Sequence, residues 1–166
     1  FARDAVVICP FGEPGRAAWR ALHEATGARG DSPSRIVAFD LNPERVAAAA
    51  LAGEPVVYGD GCSAELLRAA GVDRPRAVIV TYRAEARCLE ATRRLRDALP
   101  PGTPLYVREP RAGGAPALRA AGATDVLSET AELALRFAAV LGDLDADDAP
   151  AVRARLATDG GAAGAV

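Results

Sequence analysis

The first 40 residues narrow the possible folds of this chain more than anything that follows. An apolar run, Ala5-Val6-Val7-Ile8-Cys9, leads into Pro10-Phe11-Gly12-Glu13-Pro14-Gly15. A stretch of helical character comes next, and a second apolar run, Ile36-Val37-Ala38-Phe39, stops on Asp40. Short runs rich in Val and Ile, bounded by Gly and Pro, are strand signals. Strand, glycine turn, helix, strand, acid is an arrangement that holds a nucleotide: phosphates lie on the helix N-terminus and a ribose lies on the acid.

The rest of the chain keeps the same rhythm. Strands are expected at Ala5–Cys9, Arg35–Phe39, Pro55–Tyr58, Ala77–Thr81, Leu105–Arg108 and Asp125–Leu127. Helices are expected at Gly15–Ala25, Pro43–Leu51, Ala64–Ala70, Ala84–Leu99, Ala115–Ala121 and Thr130–Leu141. Pro43 suits a first helical turn, where its missing N–H is not needed, and Asn42 before it is a capping residue. Gly53, Gly71 and Gly122 stand where helices close on a left-handed residue. Strict alternation implies an α/β fold, a Rossmann-like doubly wound parallel sheet of about six strands with helices on both faces.

With 166 residues the chain has enough material for one domain with a full core. That domain is expected over residues 1–142, with a polar insertion at 26–34 (TGARGDSPS) and an acidic, then Gly/Ala-rich flexible tail over 143–166, in which 149–157 has the makings of a short helix. Gly15 and Asp40 are 25 positions apart, longer than the usual ~20, which is why an insertion is read there. A net charge of −2 excludes general affinity for nucleic acid. No apolar run reaches the length of a membrane span, and no signal-peptide pattern opens the chain; starting on Phe1 without any Met, it reads as a piece of a longer polypeptide. Three cysteines without CxxC spacing point to a reducing compartment and to no zinc site.

Ligands of an open parallel sheet sit at the carboxyl ends of its strands, so the residue after each strand is the one to read. Gly12 lets backbone approach a phosphate, and Gly15 allows close helix–strand contact. Phe11 and Glu13 belong to the same loop, and Pro10 and Pro14 each remove an N–H donor from it. Asp40 is placed to chelate ribose hydroxyls and to repel a 2′-phosphate, favouring NAD(H) or an unphosphorylated adenosine ribose, or is a helix N-cap or turn aspartate. Asp60, between Gly59 and Gly61, offers an acceptor for an adenine amino group or is a turn aspartate. Thr81 and Tyr82 follow the fourth strand. Arg108 is a phosphate partner or one half of an ion pair with Glu109 or Glu129. His23 and Trp19 read as helix residues, and Cys62 lies near a helix start that favours a thiolate. No Ser/His/Asp set, metal spacing or converging acid and base is visible, so an enzyme is not expected.

Four stretches, VVICPFGEPG (6–15), VAFDLNPERV (37–46), PVVYGDGCSAELLRAAGV (55–72) and ALRAAGATDVLSET (117–130), carry a resemblance. Together they resemble the N-terminal nucleotide-binding subdomain of RCK domains, also called TrkA-N or KTN, in the manner of the Kef-type potassium/proton antiporters of bacteria and plastids. The resemblance spans roughly residues 4 to 141. It implies a regulatory module on the soluble side of a membrane transporter, cytoplasmic in a bacterium or stromal in a chloroplast. Such a module pairs into homodimers, is joined to a transmembrane antiporter domain in the same polypeptide, and binds AMP, ADP, ATP or NAD(H). By position, Gly12 and Gly15 would face the phosphates, with Phe11 and Glu13 in the same cofactor-binding loop, where the negative charge of Glu13 disfavours a long polyphosphate. Asp40 would hold the ribose with Asn42 and Arg45 nearby, Asp60 and Gly61 would border the adenine, Arg108 would line the phosphate side or the dimer cleft, and Leu41 and Thr81 complete the cofactor-binding set. Pro10 stands where that family's first glycine falls. Two other readings remain: a degenerate module that only dimerises, and the NAD-binding half of an oxidoreductase.

Overall fold

A computed structural model describes residues 5–29 and 35–159. Six strands form one sheet: β1 (Val6–Cys9), β2 (Ile36–Asp40), β3 (Val56–Tyr58), β4 (Ala77–Val80), β5 (Leu105–Glu109) and β6 (Asp125–Ser128). The helices are α1 (Glu13–Arg29), α2 (Pro43–Leu51), α3 (Ala64–Ala69), α4 (Glu85–Ala98), α5 (Ala115–Ala120), α6 (Glu129–Leu141) and α7 (Ala149–Asp159). All pairings are parallel and the strand order is β3-β2-β1-β4-β5-β6. The order reverses at β1, which pairs with β2 on one side and β4 on the other. A crevice opens at such a reversal because the chain leaves adjacent strands in opposite directions.

Strand alternation sorts the core into two layers. Val7, Cys9, Phe39, Val78, Val80, Leu105 and Val107 pack with Leu67 of α3, Cys88 and Leu95 of α4 and Leu118 of α5. Val6, Ile8, Ile36 and Ala38 face the other way, onto Trp19 and Leu22 of α1 and Ala49 of α2. Every residue of β1 is buried, as a strand covered on both faces must be. The second layer ends at β4: Tyr106 and Leu127, on the α1 side of β5 and β6, are more than a third exposed.

The capping chemistry is as the sequence implies. Asn42 Oδ1 accepts from the N–H groups of Glu44 (2.9 Å) and Arg45 (3.1 Å), with Pro43 at the first turn of α2. Gly53, Gly71 and Gly122 follow α2, α3 and α5 at positive φ.

Two expectations are corrected. The polar insertion was expected from Thr26, but α1 runs on to Arg29. The Thr26 hydroxyl donates back to the carbonyls of Leu22 (3.0 Å) and His23 (2.9 Å), so its polar group is satisfied within the helix. Residues 30–34 of that insertion lie outside the described residues. The flexible tail is likewise not flexible throughout: the short helix expected at 149–157 forms as Ala149–Asp159 and packs on α6, where Arg153 pairs with Glu132 through both its Nε and its Nη2. The Gly/Ala-rich residues 160–166 lie outside the described residues.

Candidate functional site at the strand reversal

The turn after β1 is built by close approach. A Cβ on Gly15 would sit 2.4 Å from the Pro10 carbonyl oxygen and 3.1 Å from both Ile8 Cγ2 and Thr81 Oγ1. Only glycine lets α1 begin that near the strand. The same Pro10 carbonyl accepts a 2.8 Å hydrogen bond from the Thr81 hydroxyl, which ties the turn to the end of β4. Phe11 is buried and meets Trp19 edge-on at 6.2 Å, anchoring the turn into the α1 layer. Gly12 has no atom within 4 Å of where a Cβ would stand, so its backbone is open to a ligand.

These constraints leave a cavity of about 470 Å³ over the ends of β1, β2 and β4. Pro10, Gly12, Glu13 and Pro14 form its wall from the turn. Asp40, Leu41 and Arg45 line the β2 side, Gly59 and Gly61 the β3 side, and Thr81, Tyr82, Arg83 and Arg87 the β4 side. Gly61 is another enforced glycine, since a Cβ there would lie 2.7 Å from Cys9 Cβ and 2.9 Å from Phe39 Cβ.

Asp40 lies at the end of β2 with its side chain almost fully buried, 1% exposed. Its Oδ1 accepts from the Asn42 N–H (2.7 Å) and from Arg45 Nη2 (2.9 Å), and its Oδ2 accepts from Arg45 Nε (3.0 Å). A bidentate guanidinium on a buried carboxylate is a strong, oriented pair. A ribose at this carboxylate therefore meets Arg45 as well. Asn42 is engaged in capping, and Leu41 is a half-exposed rim residue.

Other expected site residues lie elsewhere. Asp60 pairs with Arg94 of α4 (2.8 Å) and accepts from the Cys62 N–H (3.0 Å); it does not line the cavity. Burial works against its charged form, but the hydrogen bonds from Cys62 and Arg94 outweigh it and hold the carboxyl below the ordinary value. Arg108 lies on the exposed side of β5, paired with Glu129 at 2.6 Å and donating to the Tyr82 carbonyl at 3.4 Å. It lines a separate hollow of about 220 Å³ with Pro14, Tyr106 and Leu127.

Arg83 and Arg87 are cavity residues that sequence reading passed over. Arg83 lies in the bend before α4 and Arg87 in its first turn, so no helical periodicity marks the two together in the sequence. The Arg87 guanidinium lies over the Tyr82 ring at 5.3 Å, and burial raises the Tyr82 phenol well above its usual range. The cysteines are all buried. Cys62 is lowered mainly by a hydrogen bond from the Cys9 thiol, which is itself raised by the same contact, while burial pushes Cys88 up to about 11. Among the described residues no group of three His, Cys, Asp or Glu is arranged for a metal ion, and no helix is long and apolar enough to cross a membrane.

A strand-reversal cavity with a glycine turn on one side and a buried strand-end acid on the other defines a nucleotide-binding type of α/β domain. The TrkA-N domain matches this chain over residues 6–129, and the chain belongs to that family. It is 35% identical over 139 residues to the chloroplastic K(+) efflux antiporter 3 of Arabidopsis thaliana, a match covering 83% of this chain. The chain spans only 18% of that relative's length. Among solved structures, it is similar to GsuK bound to ADP, with a TM-score of 0.64 and 26% identity over 86% of this chain and 34% of that one. The Shewanella denitrificans Kef CTD in its AMP-bound form shares the fold, with a TM-score of 0.64 and 22% identity over 94% of this chain and 97% of that one.

Proposed function

We propose that this chain is the nucleotide-sensing regulatory domain of a membrane potassium efflux antiporter. The observation that carries the reading is the cavity over β1, β2 and β4, with Gly12 open on one side and the buried Asp40–Arg45 pair on the other. The relatives add the context: one is a K(+) efflux antiporter, and similar structures hold ADP or AMP. The ligand is an adenine nucleotide or NAD(H), and the transmembrane antiporter domain belongs to the same polypeptide. The domain works on the soluble face of the membrane, by binding rather than catalysis.

In this reading two copies pair through the open side of β5 and β6. Tyr106 and Leu127 are exposed there, and α6, which follows β6, exposes Leu133, Phe137, Val140 and Leu141. Monomeric proteins rarely leave such an apolar stretch in water. Occupancy of the cavity then biases transport only through its different affinity for the two dimer states.

Calorimetric titration of the chain with AMP, ADP, ATP, NAD and NADH tests this. Saturable binding is expected, reduced about tenfold or more in Asp40→Ala, because the ribose loses a charged acceptor. Absence of binding by every one of these ligands would leave association as the domain's whole role.

A further inference from the structure

The β4 side of the cavity is cationic, and no sequence motif announces it. Arg83 and Arg87 both line the cavity. Arg83 makes no hydrogen bond or ion pair among the described residues. Arg87 has an exposed partner, Glu90, at 3.5 Å, and a face-on contact with Tyr82 that aims its guanidinium beside the strand end. They stand at the start of α4, whose capping position is Ala84 and carries no side-chain hydrogen bond. The first N–H groups of this 14-residue helix therefore add positive potential at the same place.

The opposing charges are few. Asp40 is neutralised by Arg45 at the far side of the cavity. Glu13 is the one other carboxylate that lines it. Glu85, in the first turn of α4, has a carboxylate oxygen within 3.0 Å of where a Gly114 Cβ would stand, towards the start of α5. Apart from Glu90 beside Arg87, the two guanidiniums thus face a single carboxylate of the cavity lining, Glu13.

Geometry then selects the ligand. Asp40 ends β2 and Arg83 follows β4, with β1 between them. Two inter-strand spacings are about 10 Å. A ribose at Asp40 places one phosphate over the β1 turn, where Pro10 and Pro14 offer no N–H. A second and third phosphate continue towards β4. NAD also spans that distance, but it brings a nicotinamide riboside to the two arginines. The ring is cationic in NAD and neutral in NADH, so neither gains from guanidinium groups.

We propose that Arg83 and Arg87 form a terminal-phosphate subsite that makes this chain selective for adenosine di- and triphosphates over AMP and NAD(H). The inference rests on the nucleotide reading above and adds the ligand's charge and the residues that count its phosphates. Lengthening the phosphate chain strengthens binding by about fivefold per phosphate, less than a charged hydrogen bond usually gives, because both guanidiniums are exposed and screened by solvent. The preference also weakens with added salt.

The test is titration of the chain, in metal-free buffer, with AMP, ADP, ATP and NADH, repeated on the Arg83→Gln/Arg87→Gln double variant. The order ATP over ADP over AMP is expected in the wild type, with NADH no tighter than AMP. The double variant should bind AMP as before and lose the advantage of ATP. Both side chains are exposed, so its melting temperature should stay close to that of the wild type, and a matching melt confirms that the variant is folded. AMP or NADH binding as tightly as ATP, or a double variant that keeps the ATP preference, would overturn the subsite while leaving the nucleotide reading standing. No binding by any of the four would overturn both.

Discussion

The two halves of the sheet are built from the same unit and finished differently. Strands β3, β2 and β1 are covered on one face by α1 and α2, and β1 and β2 lie against the α3 and α4 layer on the other. Strands β5 and β6 are covered by α4 and α5 on one face, while Tyr106 and Leu127 look outward on the other. The first half holds the glycine turn and the buried Asp40, and its backbone approaches are tight enough to exclude a Cβ at Gly15 and Gly61. The second half carries the exposed apolar row of α6 and the Arg108–Glu129 pair. The lesson is a separation of tasks. Precision of backbone is invested where the proposed ligand is seated, and uncovered apolar surface is kept where another molecule can cover it. The cavity lies on the seam between the halves, so it can feel both.

The sharpest way to break this contrast is to place the same kind of insult in each half. Gly61→Val sets a branched side chain where a single Cβ already lies 2.7 Å from Cys9 and 2.9 Å from Phe39. Neither neighbour can yield, since each belongs to a buried strand. A loss of about 3 kcal/mol or more is expected, enough to leave a marginal domain largely unfolded. Denaturant unfolding measures it; a loss below about 1 kcal/mol would show that the loop after β3 yields easily.

Leu127→Asp is the matching change in the second half. Leu127 is 41% exposed, so the variant's own unfolding free energy should change by no more than about 1 kcal/mol. Its association should weaken by well over tenfold, because a charge is placed in an apolar contact. Sedimentation of wild type and variant over a concentration series reads this directly. Unchanged association would overturn the proposed dimer contact at β5 and β6.

The halves also differ in how legible they were. The β1–α1–β2 unit and Asp40 follow from local signals: two apolar runs, a turn rich in Gly and Pro, and an acid at a strand end. The strand alternation and the caps at Asn42, Gly53 and Gly71 are local in the same sense. Arg83 and Arg87 are not, because only the order β2-β1-β4 brings α4 beside a turn some 70 positions earlier in the chain. Asp60 was hidden for the same reason: its partner Arg94 lies 34 positions away on a helix that reaches it only through tertiary packing. The Asp40–Arg45 pair spans a strand end and the first turn of the next helix, so five residues of sequence contain it. It escaped because an acid at that position suggests a ribose before it suggests an arginine. The continuation of α1 past Thr26 turns on contacts with Leu22 and His23 that composition does not encode, whereas the helix at Ala149–Asp159 was legible in the sequence and only its packing through Glu132 was not.

The Asp60–Arg94 pair links the halves, running from the loop after β3 to α4, and it sharpens the comparison with the smallest effect. Asp60 is 29% exposed and Arg94 44%, so solvent screens the pair and Asp60→Asn should cost about 0.5–1 kcal/mol at neutral pH. Its dependence on pH has a definite sign. The folded carboxyl is held below its ordinary value by Cys62 and Arg94, whereas the unfolded chain titrates near ~3.9. The folded form therefore binds fewer protons between the two values, and the contribution is complete above about pH 4 and lost as pH falls through the lowered folded value. Unfolding free energies of wild type and Asp60→Asn should differ at pH 7 and converge on acidification. A gap that persists well below pH 3 would mean that Asp60 acts through the shape of its turn, by way of the Cys62 N–H that an asparagine oxygen also accepts, and that the charge on Arg94 contributes nothing to holding the two halves together.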